Sequence, residues 1–362
     1  MMHYVNLISL TCLFVDVKTC LFIEIDQTAV GMTTAESVRE FFSNHSKRSF
    51  FIGLILIGTI FNLLCASIFL INWNGLNFVI PLFNSTSSSY HPVNRIDLNT
   101  PITEDFICLK TKQLFKVVRT TICVHNRTDF VSRHFLENMT YEEEYMHTLF
   151  RIMLRYPHYG LIDVGANIGT YTMFAAAMNR LVIAIECFRP NYLRIAKAIQ
   201  IENLQNNVIL IGNAIYSQSG RFLNLSSEPE NIGGQATSDT SIANKFSDDP
   251  HIVETIRFDD ILPIIKSTER RAFLLKADIE ASEHHLFDSG TEIFEYLDIP
   301  VIIIEWDRFR DHIDRGAMVL SFLTKHGYIP TVDTCQRLNI TDTFIGWPAN
   351  VYWMKTNSSD IC

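Results

Sequence analysis

The sequence predicts an α/β fold whose core is a doubly wound, mostly parallel sheet in the C-terminal half of the chain. Five apolar runs recur from residue 160 onward: "LIDVG", "LVIAIE", "NVILIGNAI", "AFLLKAD" and "VIIIEW". They lack polar alternation, as strands covered on both faces require. Amphipathic stretches at 170–179, 189–203, 282–296 and 315–326 separate them as helices, giving a βαβ rhythm. The first run enters the turn Gly165-Ala166-Asn167-Ile168-Gly169, the strand-to-helix joint at which such sheets bind ligands. A last run, "NVYWMK" at 350–355, follows its helix closely and is expected to insert antiparallel.

The elements before this core are of another kind. Hydrophobic residues make up 48% of the 362, and the mean hydropathy of +0.13 is high for a purely soluble chain. Phe50–Ile71, "FFIGLILIGTIFNLLCASIFLI", carries no charge and would span roughly 33 Å as a helix, enough to cross a bilayer. Arg39, Lys47 and Arg48 precede it, and the next basic residue is Arg95, so the N-terminus is expected inside and the rest outside or lumenal. A cleaved signal peptide fits less well, because "CAS" at 65–67 leads into more apolar sequence. Residues 4–23 are apolar but interrupted by Asp16 and Lys18, and no second span is expected there; Met32 is an alternative start.

The expected organisation is a cytosolic tail at 1–49, a membrane helix at 50–72 and a stem rich in Asn, Ser and Pro at 73–101. An extension at 102–156, with short strands around Phe115–Cys123 and a helix around Tyr141–Arg155, precedes the main domain at 157–362. Glycosylation sequons at Asn84, Asn126, Asn138, Asn224, Asn339 and Asn357 all lie beyond the span. Cys108 with Cys123, and Cys335 with Cys362, could pair in an oxidising compartment, leaving Cys187 free. No Cys/His spacing fits a zinc site, and a net charge of −9 gives no support to a nucleic-acid partner.

The glycine turn narrows the ligand. A dinucleotide fingerprint needs G-x-G-x-x-G so that a pyrophosphate can lie on the helix N-terminus. Here the spacing is G-x-x-x-G. Asp163 before the turn would repel a pyrophosphate and suit an ammonium group. Glu186 ends the second strand, 21 residues after Gly165, where a carboxylate can accept hydrogen bonds from both ribose hydroxyls. Together these favour S-adenosylmethionine.

"DVGANIGTYT", "AIECFRPNYLRIAKAIQIENLQNNVILIGNAI", "VETIRFDDIL", "LLKADIEASEHHLF" and "VIIIEW" resemble the FkbM family of S-adenosylmethionine-dependent methyltransferases over Leu161–Lys355. The resemblance implies a Rossmann-like methyltransferase fold and methyl transfer to a hydroxyl oxygen, commonly on sugars or polyketides. It implies that Asp163, Gly165, Asn167 and Gly169 line the cofactor's amino-acid end, that Glu186 holds the ribose and that Asn213 lies by the adenine. The family's K-x-D-x-E-G-x-E segment corresponds here to Lys276, Asp278, Glu280 and Glu283. Two departures stand out: Cys187 replaces a usual proline, with Pro190 still available to start the helix, and Ala281 replaces a glycine, which adds strain if that position needs positive φ.

Methyl transfer to an alcohol needs alignment and a base for the hydroxyl proton. Asp278 and Glu280 from one strand end, with Glu305 and Asp307 from the next, supply the carboxylates, and Lys276 and Asp278 should share a strand face towards the crevice. The plainer reading of Lys276–Asp278 is a structural ion pair. His284 and His285 are candidates for a surface or a catalytic role. The carboxylates could alternatively hold a divalent ion, but no metal is expected. "NIGGQ" at 231–235 reads as a lid or a free excursion; of Trp306, Trp347 and Trp353, two are expected in the core. The resulting expectation is a single-pass Golgi membrane protein whose lumenal domain O-methylates a glycan. The alternatives are a lipid or small-molecule acceptor, or a catalytically silent, membrane-tethered binding domain.

Overall fold

The computed structural model describes residues 12–16, 19–22, 90–238, 248–342 and 345–356. The apolar segment 50–71, the sequons at Asn84 and Asn357, and Cys362 lie outside them. Among the described residues no helix is long and apolar enough to cross a membrane. The chain divides into two units, Met1–Ser85 and Thr86–Cys362. In the first, β1 (Cys12–Asp16) and β2 (Thr19–Phe22) pair antiparallel.

The second unit opens with a segment expected to end a stem. Residues 90–98 instead run along the sheet edge: Arg95 bridges Ile211, and the Ile96 amide donates to the Leu210 carbonyl at 2.9 Å. Strands β3 (Ile107–Lys110) and β4 (Thr121–Val124) follow, cross-linked by the expected Cys108–Cys123 disulfide. The strand anticipated from Phe115 starts only at Thr121, because Phe115 and Lys116 take left-handed φ of 49° and 58° in the connecting turn. Helix α1 (Phe130–Asn138), not foreseen, is capped by the Asp129 carboxylate, which accepts from the Ser132 amide. Helix α2 (Glu143–Arg155) matches expectation.

The core begins with β5 (Gly160–Val164), α3 (Thr170–Ala177), β6 (Val182–Ile185), α4 (Arg189–Glu202) and β7 (Val208–Ile211). Pro190 sits in the first turn of α4, where its missing N–H costs nothing. "NVILIGNAI" breaks at Gly212-Asn213, and its end, β8 (Ala214–Ile215), joins β9 (Phe222–Leu225), β10 (Thr237–Ser238) and β11 (Ile252–Ile256) in a small second sheet. Then come α5 (Leu262–Ser267), β12 (Phe273–Ala277), α6 (His284–Asp288), α7 (Thr291–Tyr296), β13 (Val301–Glu305), α8 (Ile313–Lys325), β14 (Tyr328–Thr331) and β15 (Asn350–Lys355). One helix was expected over 282–296; two form, separated at Ser289-Gly290.

The main sheet has the order β14-β15-β13-β12-β5-β6-β7, parallel except for β15, which inserts antiparallel as expected. Alternate residues of β5 and β12 feed two cores. Leu161 and Leu274 pack with α2, α3 and α4, while Ile162 and Leu275 pack with α5 to α8. Strand order reverses between β5 and β12, so their carboxyl ends frame a crevice.

Replacing Cys108 and Cys123 by alanine should lower unfolding free energy by about 3 kcal/mol, the loop-closure value for a loop of this size. Denaturant titration checks this; an unchanged midpoint would mean that the bridge constrains nothing.

Candidate active site

The crevice is built where the Gly165–Gly169 turn meets the turn after β12. Gly165 has φ +77°, and a side chain there would begin 1.8 Å from the Asp278 carbonyl oxygen, so only glycine fits. The next residues wrap the mouth of the cavity: Asn167 takes φ 53°, and Gly169, at φ 91°, caps α3. Glu186, immediately after β6, turns its carboxylate to this loop and accepts from the backbone amides of Asn167 at 2.7 Å and Phe188 at 2.9 Å. Burial pushes its carboxyl up to about 7.

Gly165, Glu186, Asn213, Asp278 and Glu280 line the resulting cavity, and Ile232, Gly233 and Gln235 close its open side. Three carboxylates and no Lys, Arg or His form its wall, a donor set that suits a cation and opposes a pyrophosphate. The buried Gln235 Oε1 in that wall lacks a hydrogen-bond partner. The segment 231–235 is held down from outside, since the Ile232 amide donates to Asp129 Oδ1 and the Phe130 amide to the Glu230 carbonyl. With that cover down the cavity is only ≈ 50 Å³, far below the about 300 Å³ or more of ligand pockets.

Among the residues expected to bind the cofactor, Gly165, Glu186 and Asn213 lie on this wall, and Asn167 and Gly169 shape its turn. Asp163 does not reach it. Fully buried on the α3 side of the sheet, its carboxylate accepts from Thr172 Oγ1 at 2.6 Å and lies 3.9 Å from Lys276 Nζ. Burial raises the Asp163 carboxyl against the pull of that ammonium. The side chain of Asn213 is committed elsewhere: Oδ1 accepts from the Asn94 amide at 2.7 Å, and Nδ2 donates to the Glu254 carbonyl at 3.3 Å.

Lys276 does not point into the crevice as expected. It lies beneath the wall, 3.1 Å from Asp278 Oδ2, 3.3 Å from the Gly165 carbonyl and 4.9 Å from the Tyr171 ring. Burial pulls its ammonium down, but Asp278, Asp163 and Glu142 together outweigh burial and hold it above its ordinary value. Asp278, Glu280 and Glu305 do converge, each offering a carboxylate oxygen within 4.8 Å of the others, a set that could also hold a divalent ion. Arg308 Nε meets Glu280 Oε2 at 2.7 Å. Burial, then Asp278, pushes Glu280 up to about 7; burial pushes Glu283 up to about 8. Burial and the surrounding carboxylates raise Glu305 as well.

Other candidates take structural places. Asp307 pairs with Arg310. His284 and His285 are buried against each other, with His285 on Tyr216. All three tryptophans, not two, pack in one buried cluster. Arg308, Asp129 and Glu142, which accepts from the Tyr171 hydroxyl at 2.7 Å, were not foreseen. Nothing in local sequence marks them, because they reach the site from other elements. Ala281 has φ +63° and Glu280 φ +57°, so the position where the resemblance expects glycine does require the left-handed conformation.

Residues 163–330 match the family model described as the methyltransferase FkbM domain. The match covers less than half of the chain. No curated protein matches the sequence. Similar solved structures include a candidate O-methyltransferase from Klebsiella pneumoniae, at 12% identity and TM-score 0.32 over 60% of this chain and 82% of that one. Precorrin-6y C5,15-methyltransferase from Geobacter metallireducens GS-15 matches at 15% identity and TM-score 0.31, over 60% and 90%. A candidate rRNA methylase from Clostridium thermocellum matches at 15% and 0.32, over 60% and 98%.

Ala281→Gly should relieve left-handed strain of about 1 kcal/mol and raise the melting temperature by about 2–4 °C; an unchanged or lower value would contradict the strain. Glu186, Glu280 and Glu283 bind protons more tightly folded than at their ordinary value of 4.5. The folded state therefore holds extra protons between those values, and stability falls as pH rises through the interval. Melting of the free protein should be higher at about pH 5 than at about pH 8.5, with the difference reduced in Glu283→Gln. A melting temperature that climbs across that interval would contradict the burial of these carboxyls.

Proposed function

We propose that the FkbM domain is an S-adenosylmethionine-dependent O-methyltransferase acting on glycan hydroxyls in the secretory pathway, anchored through residues 50–71. The observation that carries this reading is the single cavity in which a ribose-type carboxylate, Glu186, faces Asp278 and Glu280 with no basic residue in the wall. When bound, S-adenosylmethionine supplies an electrophilic methyl group whose sulfur leaves with the electron pair of the broken S–C bond. Glu186 would hold the ribose hydroxyls, and the acidic wall would accept the cationic end. Asp278, half-exposed and braced by Lys276, would take the hydroxyl proton as the acceptor oxygen forms its bond to carbon. Lys276 keeps that carboxylate oriented, and the cover at 231–235 excludes water.

The catalytically silent alternative draws on Ala281, but the left-handed turn forms with alanine in place, so strain is not loss of the turn. The secretory location is supported by the Cys108–Cys123 bridge and by the exposure of Asn126 and Asn138.

Glu186→Gln should weaken S-adenosylmethionine binding about tenfold by calorimetry, one charge-assisted hydrogen bond's worth. Asp278→Asn should lower turnover on methyl hexosides by about 10² or more with modest change in cofactor affinity. Lys276 retains Asp163 and the Gly165 carbonyl, so this variant should lose less than the about 3–5 kcal/mol of a stranded buried charge. Normal turnover in Asp278→Asn would remove it as the base. Protein from its native host should carry glycans at Asn126 and Asn138 but not at Asn44, whose Asn-His-Ser sequon precedes the apolar segment; mobility unaltered by endoglycosidase would count against a lumenal domain.

A further inference from the structure

A second cavity lies beside the donor cavity, across the 231–235 segment. The segment's residues divide between the two: Ile232, Gly233 and Gln235 face the donor side, while Asn231 and Gly234 face the other. Glu280 borders both. Through Glu280 the second cavity adjoins the Asp278–Glu280–Glu305 cluster. The second cavity measures ≈ 230 Å³, under the about 300–1,000 Å³ of drug-sized pockets, which suits one sugar ring and not an extended chain.

The charge of its wall selects among sugars. Glu228, Glu280 and Asp311 contribute three carboxylates against the imidazole of His312 and one guanidinium, Arg308, which is already held by Glu280 at 2.7 Å. A ligand carrying a carboxylate, sulfate or phosphate would meet three carboxylates with no unpaired Lys or Arg in the wall to answer them, whereas the hydroxyls of an uncharged ring can donate to those same carboxylates. Side chains that accept hydrogen bonds thus favour a neutral polyol and discriminate against its acidic analogue.

We propose that this second cavity is the acceptor site and that it admits neutral sugar rings while rejecting anionic ones. The proposal rests on the glycan methyltransferase reading and adds the place and the charge class of the acceptor to it. Its residues Glu228 and Asp311 determine specificity without lining the donor cavity.

The test uses the full chain with S-adenosylmethionine and a panel of methyl hexopyranosides beside the matching methyl uronides, with methyl transfer read by mass. Hexosides should show kcat/KM about tenfold or more above uronides. The double substitution Glu228→Lys, Asp311→Lys should lower that ratio about fivefold or more, while cofactor affinity measured by calorimetry stays the same. A preference for uronides, or a ratio indifferent to the double substitution, overturns the proposal while methylation itself leaves the glycan reading standing. If neither hexosides nor uronides are methylated by protein that binds S-adenosylmethionine, the glycan reading falls and the proposal with it.

Discussion

At the centre of the molecule two strand ends meet without space for a side chain. The Asp278 carbonyl lies where a side chain at 165 would start, and the Asp278 amide donates to the Val164 carbonyl at 3.0 Å. This contact fuses the turn after β5 to the turn after β12, so the donor wall and the carboxylate cluster form one body. A larger residue at 165 would push the two turns apart and separate Glu186 from Asp278 together. The constraint is backbone against backbone, which makes it insensitive to which side chains fill the cavity.

Charge is the second organising factor, and it depends on that closeness. Lys276 sits beneath the joined turns and reaches Asp278 and the Gly165 carbonyl at once, with Asp163 further off on the same side of the sheet. One buried ammonium thereby lies beneath a wall whose charged residues are all carboxylates. Glu280, Glu283 and Glu305 hold their protons more tightly, chiefly because they are buried and further because of the carboxylates around them. Such a wall is prepared for a cationic ligand, because arrival of positive charge relieves a repulsion already present in the folded chain.

The extension before β5 belongs to the site as much as to the scaffold. Asp129 caps α1 with one carboxylate oxygen and holds the Ile232 amide with the other, so a single side chain links the start of a helix to the cover over the cavity. Glu142, at the entry to α2, accepts from Tyr171, whose ring lies over Lys276.

The sheet and its winding were legible in sequence because each depends on a local pattern: unalternating apolar runs and helical spacing between them. The places of Gly165 and Glu186 were legible for the same reason, since a turn and a strand end are placed by their neighbours in the chain. The need for left-handed φ at residue 281 was likewise visible as a departure from a motif. The apolar segment 50–71 lies outside the described residues, and its reading rests on composition and flanking charge. Period-two alternation alone would send Lys276 and Asp278 to one face of β12, but the strand ends at Ala277, and the chain turns there. Lys276 was therefore free to pair beneath the wall while Asp278 faces the cavity. Asp163 went to the interior because its strand face packs against α3, and Asp129, Glu142 and Arg308 joined the site from distant segments. Local periodicity determined the elements and their order; contacts between residues far apart in the chain, which no local pattern encodes, decided which carboxylates face one another.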